Sequence, residues 1–169
     1  MTKELILYFS RKGNNYSSSG IVNIEQGNTE KIAEYIKDST GADIFEIVPL
    51  HDYPEDYMEC TEVAKKEQEE NARPELKEYL EDISSYDTIY LGYPNWWGTL
   101  PMIVWTQLEK LDFTGKTIRP FVTHEGSGVG TSLNDIKNLC KGATIKKELS
   151  IQGSTVDSAR ERVKTWLTE

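Results

Sequence analysis

Ile89-Tyr90-Leu91-Gly92-Tyr93-Pro94-Asn95-Trp96-Trp97-Gly98 decides how this chain is read. Its first half is an unbroken apolar run, as a strand buried on both faces requires. The run stops at Pro94, and a Pro-Asn turn then carries two adjacent tryptophans and a glycine. Neighbouring residues in an extended or turning chain point different ways, so a core takes one indole more readily than both. Two readings follow. One is a rigid aromatic plane on which a flat, conjugated ligand stacks. The other is a pair of rings that caps the sheet edge or meets a partner.

Outward from this strand, the chain alternates between two patterns. Glu4 to Phe9 is another continuous apolar run; Asp43 to Val48 is a second strand ended by Pro49. Thr88 to Tyr93 is the third, Thr117 to Val122 the fourth and Ala143 to Ile151 the fifth. Between the first two, residues 10–28 read as a polar loop, and Thr29 to Asp38 as a helix with Ile32, Ala33 and Ile36 on one face, stopped by Gly41. Residues 49–86 form a long crossover. Its Glu/Lys-rich middle, Glu55 to Asn71, reads as a solvated helix, and Pro74 opens a short second one. Pro101 stands in the first turn of a helix carrying Val104, Trp105, Leu108 and Leu111. Leu133, Ile136 and Leu139 mark another, with Ser132 and Asp135 at capping-box spacing. The last helix starts near Ser154, with Asp157 three residues on, and buries Val156, Ala159, Val163, Trp166 and Leu167. Strand and helix in alternation predict one α/β domain over residues 1–169, a parallel sheet with helices on both faces. Ligands of such sheets bind beyond the carboxyl ends of the strands, at a switch point of the topology.

Three loops lie at that edge. After strand one comes Ser10-Arg11-Lys12-Gly13-Asn14-Asn15, and later Gly27-Asn28-Thr29-Glu30 opens the helix. Hydroxyls, amides and glycines before a helix N-terminus suit an anion, since unpaired N–H groups and the helix dipole point at it. Ordinary capping by Asn28 explains the same residues. Neither a Walker loop nor a dinucleotide fingerprint is present. After strand three comes the tryptophan turn, and after strand four Thr123-His124-Glu125-Gly126-Ser127-Gly128-Val129-Gly130. Its glycines allow close approach to a flat ligand or serve as a hinge. His124 is an acid–base candidate or a hydrogen-bonding neighbour, and no nucleophile–base pair accompanies it, so no catalytic residue is assigned.

Composition narrows the functions. The formal net charge of −9 disfavours nucleic acid and anionic lipid and favours basic partner surfaces, besides conferring solubility. Two cysteines, Cys60 and Cys140, imply no disulfide framework. With two histidines they give no zinc-type spacing. No apolar run is long enough for a membrane span and no signal-peptide core opens the chain, so a cytoplasmic protein is expected.

Taken together, Tyr8-Phe9-Ser10-x-x-Gly13-Asn14, Gly27-Asn28-Thr29, Tyr93-Pro94-x-Trp96-Trp97-Gly98 and the Gly126-Ser127-Gly128 loop resemble the flavodoxin family, in order and over essentially the whole chain. The resemblance implies a flavodoxin-like three-layer sandwich, with a five-stranded parallel sheet in the order 2-1-3-4-5 and flavin mononucleotide (FMN) at the switch between its first and third strands. It places the phosphate at Ser10, Lys12, Asn28 and Thr29. It sets the isoalloxazine against Pro94, Asn95, Trp96, Trp97 and Gly98, with Trp97 the choice for stacking, and brings Thr123 to Gly128 over the other edge. One departure is clear: about fourteen residues separate Gly13-Asn14 from Gly27-Asn28-Thr29, where the family has one short loop. Phosphate contacts could come from either stretch, Asn14 and Asn15 included, and the insert Tyr16 to Gln26 could fold over the site. No long insertion splits strand five, as in short-chain members. The segment Tyr53 to Pro74 resembles a Tyr-rich, acidic subfamily.

The functions implied are electron transfer between protein partners with basic surfaces, or reduction of a quinone-type small molecule by a nicotinamide cofactor, by a monomer or weak dimer. A phosphate-binding or interaction domain without flavin is the third reading. Acidity and aromatic stacking would both lower the potential of a bound flavin, and Gly98 would let a peptide turn its carbonyl toward a flavin nitrogen.

Overall fold

The computed structural model describes residues 3–169. Its central strand β1 (Glu4–Tyr8) lies between β4 (Asp43–Glu46) and β5 (Thr88–Pro94), parallel to both. Beside β5 runs β6 (Thr117–His124), and both β7 (Thr144–Ile145) and β8 (Leu149–Gln152) pair in parallel with β6. Sheet positions therefore follow the predicted order 2-1-3-4-5, with the fifth divided in two.

Side chains alternate across this sheet with the period of two that strands impose. From β1, Leu5 and Leu7 enter one core with Ile89, Leu91 and Tyr93 of β5. That core is closed by Ile103, Val104 and Leu108 of α3 (Met102–Leu108) and Ile136 of α4 (Ser132–Leu139). Ile6 and Tyr8 point the other way, with Ile32, Ala33 and Ile36 of α1 (Asn28–Thr40) and Val163 and Trp166 of α5 (Arg160–Leu167). Gly41 ends α1 in the left-handed conformation at φ 71°, and its N–H reaches Lys37 O at 2.8 Å. A parallel pair needs a crossover, and α1 and the long segment through α2 (Tyr57–Glu69) supply the first two.

Several expectations change. The fifth strand is not continuous: Ile118 pairs with Ile145 and Phe121 with Leu149, so Arg119 and Pro120 face the three residues 146–148. Pro120 has no N–H for the ladder, and the extra residue opposite it is a bulge. The short helix expected at Pro74 is absent. Leu50 N–H donates to Glu75 O at 2.8 Å and Lys77 N–H to Val48 O at 2.9 Å, so this backbone is committed to an antiparallel bridge between Pro49 and Leu76. The last helix starts at Arg160, after a 3-10 segment over Gly153–Ser158. Ser132 does not cap α4; its hydroxyl donates to Val129 O at 2.6 Å and accepts from the Tyr93 hydroxyl at 2.8 Å.

The polar loop of residues 10–28 holds a hairpin. Strands β2 (Gly13–Ser17) and β3 (Gly20–Ile24) pair antiparallel around Ser18-Ser19. The Arg11 guanidinium fastens its base to the crossover, donating to Pro54 O at 3.0 Å and Glu55 O at 2.9 Å. At its tip side, the Tyr16 ring stands 6.1 Å from that of Tyr57 on α2.

Gly92 shows how tightly the sheet centre is packed. A Cβ added there would lie 2.1 Å from Phe121 Cζ. A Gly92→Ala variant should lose about 1–3 kcal/mol of stability through overpacking. A urea midpoint equal to that of the parent chain would reject this account of the β5–β6 contact.

Candidate functional site

The amino end of α1 opens on the carboxyl edge of the sheet, where β1, β5 and β6 end. Gly27 caps the helix, and its carbonyl accepts Lys31 N–H at 3.1 Å. Ser10 Oγ, on the loop after β1, accepts Glu30 N–H at 3.0 Å. The N–H groups of Asn28 and Thr29 belong to the first turn, whose donors a helix cannot pair internally. Asn28 is thus the first residue of the helix, and the cap interaction comes from Ser10. Thr29 is buried, and its hydroxyl lies 2.7 Å from that of Thr123 at the end of β6. Two N–H donors, the positive end of a helix and the Ser10 hydroxyl therefore meet at the start of α1, beside the buried Thr29–Thr123 pair, which is chemistry suited to a phosphate.

The aromatic turn after β5 is built by its own asparagine. Asn95 Oδ1 accepts Gly98 N–H at 2.9 Å, and Asn95 Nδ2 reaches across to Gly128 O at 2.7 Å. The two indoles differ. Trp96 stands edge-on between Phe9 and Tyr53, with centroids at 5.3 and 5.1 Å, and so closes the core under the turn. Trp97 is 49% exposed and holds φ +54°, a backbone conformation that a bulky residue adopts only when its surroundings enforce it. Helix α2 supplies the enforcement: Trp97 Nε1 donates to Thr61 O at 2.9 Å, Gln68 Nε2 donates to Trp97 O at 3.2 Å, and Lys65 Nζ sits 4.7 Å from the ring centre. With Trp97 O and Gly98 N–H both engaged, turning that peptide would break two hydrogen bonds.

The loop after β6 is braced against the same turn. Thr131 N–H donates to Gly98 O at 2.7 Å, and Thr99 and Thr131 both bond Asp135. His124 Nδ1 accepts Gly126 N–H at 2.9 Å, and burial, with the charge of Arg162, pulls its pKa below the ordinary histidine value. A neutral, hydrogen-bonding imidazole fits both observations. Burial pushes the Glu125 carboxyl above its ordinary value.

The sequence-predicted residues spread over several places along this edge. Ser10, Asn28, Thr29 and Thr123 gather at the amino end of α1. Asn15, Asn95, Trp96 and Trp97 line a cleft of about 330 Å3, closed by Arg11 and by Tyr57, Met58, Cys60, Thr61 and Ala64 of α2. Lys12 and Asn14, together with Ser10, line a larger, polar cavity of about 810 Å3 between the hairpin and the β1–β4 edge, beside Glu46 and Asp52. Pro94 ends β5 opposite Thr123, Gly98 holds the turn, and Glu125, Gly126, Ser127 and Gly128 follow His124 in the braced loop. Arg11, Tyr57 and Met58 carried no signal in the sequence, because only the hairpin and α2 bring them to the edge. Among the described residues, no three or more His, Cys, Asp or Glu gather as for a metal ion, and no helix is long and apolar enough to cross a membrane.

Comparison with known proteins agrees with this layout. The protein family described as flavodoxin matches residues 4–169. Flavodoxin 1 of Shigella flexneri is 27% identical over 139 residues, covering 79% of this chain and 61% of its own length. A candidate flavoprotein from Bacteroides uniformis is 28% identical with a TM-score of 0.77, covering 99% of both chains. A flavoprotein from Lactobacillus acidophilus solved in complex with FMN is 19% identical over 94% of this chain and 98% of its own, with a TM-score of 0.60, and so shares the fold. By sequence over nearly all its length and by strand order, this chain belongs to the flavodoxin family.

Proposed function

We propose that the chain binds FMN and carries electrons between protein partners. The observation that carries this reading is the α1 amino end, with its two unpaired N–H donors and surrounding hydroxyls, on the same sheet edge as the exposed, clamped Trp97. Phosphate would be held at Ser10, Asn28 and Thr29, and the flavin ring would lie toward Asn95–Gly98 with Trp97 against it. Family membership and the FMN-bound relative support the choice of cofactor. The flavin supplies the redox chemistry, and the protein positions it and sets its electrostatics. The net charge of −9 favours a partner with a basic surface. A visible spectrum tests the cofactor: the purified chain should show the bands of bound flavin or acquire them with added FMN. A colourless protein that does not take up FMN overturns the reading.

The cleft of about 330 Å3 favours a second reading, an FMN-dependent reductase of quinone-type small molecules drawing on NAD(P)H. Met58, Ala64 and the two indoles give it an apolar wall of the size that a small aromatic compound fills. The two readings separate in one assay. A carrier is reduced only through a reductase partner, at a rate that falls as salt is added. Steady NADPH consumption with a quinone and no second protein would replace the carrier by the reductase.

A further inference from the structure

Glu125 is the unexplained charge at this site. Both carboxylate oxygens are closed off from solvent and neither accepts a hydrogen bond of good geometry, although the Gln152 side chain and the Ser154 N–H stand close enough to favour its ionised form. A carboxylate shielded from water and this weakly paired is unfavourable unless the group takes up a proton. Its position is equally specific. The point where Gly153 would carry a Cβ lies 2.3 Å from Glu125 Oε1 and 2.4 Å from Asn28 Nδ2, so the carboxyl and the first side chain of α1 converge on the space that this glycine leaves empty. Thr123, two residues before, is tied to Thr29. Glu125 therefore stands beside the phosphate cradle.

We propose that Glu125 is a positioning residue for the flavin phosphate that acts as a neutral acid, so that binding of FMN is coupled to uptake of a proton by the Glu125 carboxyl. The inference rests on the FMN reading. Protonated, the carboxyl sits beside Asn28 and the amino end of α1 without charge. Ionised, it would oppose a phosphate held beside Asn28, because like charges that share a site cannot both ionise freely. The groups around it do little to offset this. The Gln152 side chain and the Ser154 N–H act to lower its pKa, but burial outweighs them and the net shift is upward. Tyr57 faces it from α2, His124 adjoins it with Arg162 of α5 beyond, and Lys31 of α1 is engaged by Asp157 of the 3-10 segment at 2.9 Å.

The sign follows from linkage. A phosphate anion in the cradle raises the Glu125 pKa further, so the complex holds more proton than the free protein between the two values. FMN affinity should then fall as pH rises through the carboxyl's elevated pKa, by up to roughly tenfold per unit of pH, the slope of one coupled proton. The phosphate has a second ionisation of its own near pH 6. Glu125→Gln keeps the shape, carries no charge and leaves that ionisation in place, so the difference between the two proteins isolates Glu125.

The experiment is titration with FMN and with riboflavin, followed by tryptophan fluorescence and calorimetry from pH 5 to 9, on the parent chain and on E125Q. The parent should bind FMN more weakly at high pH, with a shallower dependence in E125Q and none attributable to Glu125 for riboflavin, which has no phosphate. Calorimetry of the parent alone, in two buffers of different ionisation enthalpy, should show net proton uptake, which keeps the test independent of how E125Q folds. Equal pH profiles for parent and E125Q with no proton uptake overturn the role given to Glu125 and leave the FMN reading standing. Failure of both flavins to bind at any pH overturns the two together.

Discussion

Gly27→Ala should lower FMN affinity by roughly 10–100-fold while leaving riboflavin affinity nearly unchanged. At φ −64° and ψ 151° the backbone of Gly27 suits alanine as well as glycine, so no conformational strain enters. What enters is space. The new Cβ would lie 2.0 Å from Ser10 Oγ and 2.8 Å from Arg11 O. The serine could rotate away, at the loss of its bond to Glu30 N–H. Arg11 O is backbone, and Arg11 is held through its guanidinium to Pro54 and Glu55. The loop after β1 must therefore back away from the first turn of α1. Forcing a methyl into a filled site costs about 1–3 kcal/mol, and each 1.4 kcal/mol is about a factor of ten in binding. Because the displaced groups are those assigned to the phosphate, FMN should lose its advantage over riboflavin. Titration with both flavins decides it. Equal losses for the two, or none for FMN, would remove the phosphate from the α1 amino end.

Legibility in the sequence followed how local each feature's cause is. The apolar runs that became β1 and β5 are long, two-faced and bounded by Pro or polar residues, so their burial could be read directly. The helix stop at Gly41 was equally plain. The hairpin was not. Its first strand Gly13–Ser17 is mostly Gly, Asn and Ser, which do not favour strands, so Ile21, Val22 and Ile24 of Gly20–Ile24 have no apolar partner run beside them, and its Ser18-Ser19 turn lacks the usual Asn-Gly signal. Arg11 and Tyr57 hold it from outside, and such contacts have no pattern in the chain. The break in the fifth strand did have a sign, Pro120 in the middle of the adjacent strand, but its effect appears one strand away. At the site, the residue types and their loops were legible from the motifs. Which tryptophan is exposed was not, since Trp97 is held out by Thr61 and Gln68 of α2, about thirty residues earlier. Nor could Glu125 be distinguished, because its isolation depends on Gly153 and Asn28 closing around it.

Gly130→Ala should weaken FMN and riboflavin alike, by roughly 100-fold or more, because it disturbs the turn against which the flavin ring is proposed to lie. Two effects add. Gly130 holds φ +53°, and an L-residue there costs about 1–2 kcal/mol. Its Cβ would also lie 2.1 Å from Gly98 O and 2.9 Å from Gly98 Cα, against backbone that cannot rotate aside, for about 1–3 kcal/mol more. The collision separates the two loops that Thr131 N–H to Gly98 O and Asn95 Nδ2 to Gly128 O hold together. Once Gly98 is displaced, the turn that keeps Trp97 at positive φ loses its brace, and the indole is free to leave the cleft. Near-ultraviolet circular dichroism of the tryptophans should flatten in the flavin-free variant, ahead of any loss of far-ultraviolet signal. The comparison with Gly27→Ala is what gives the result its force. One glycine should act on the phosphate and the other on the ring, so a Gly130→Ala protein that still prefers FMN over riboflavin by the parental factor, while binding both weakly, would assign the two ends of the cofactor to the two loops. A variant that keeps full affinity for riboflavin would move the flavin ring away from the tryptophan turn.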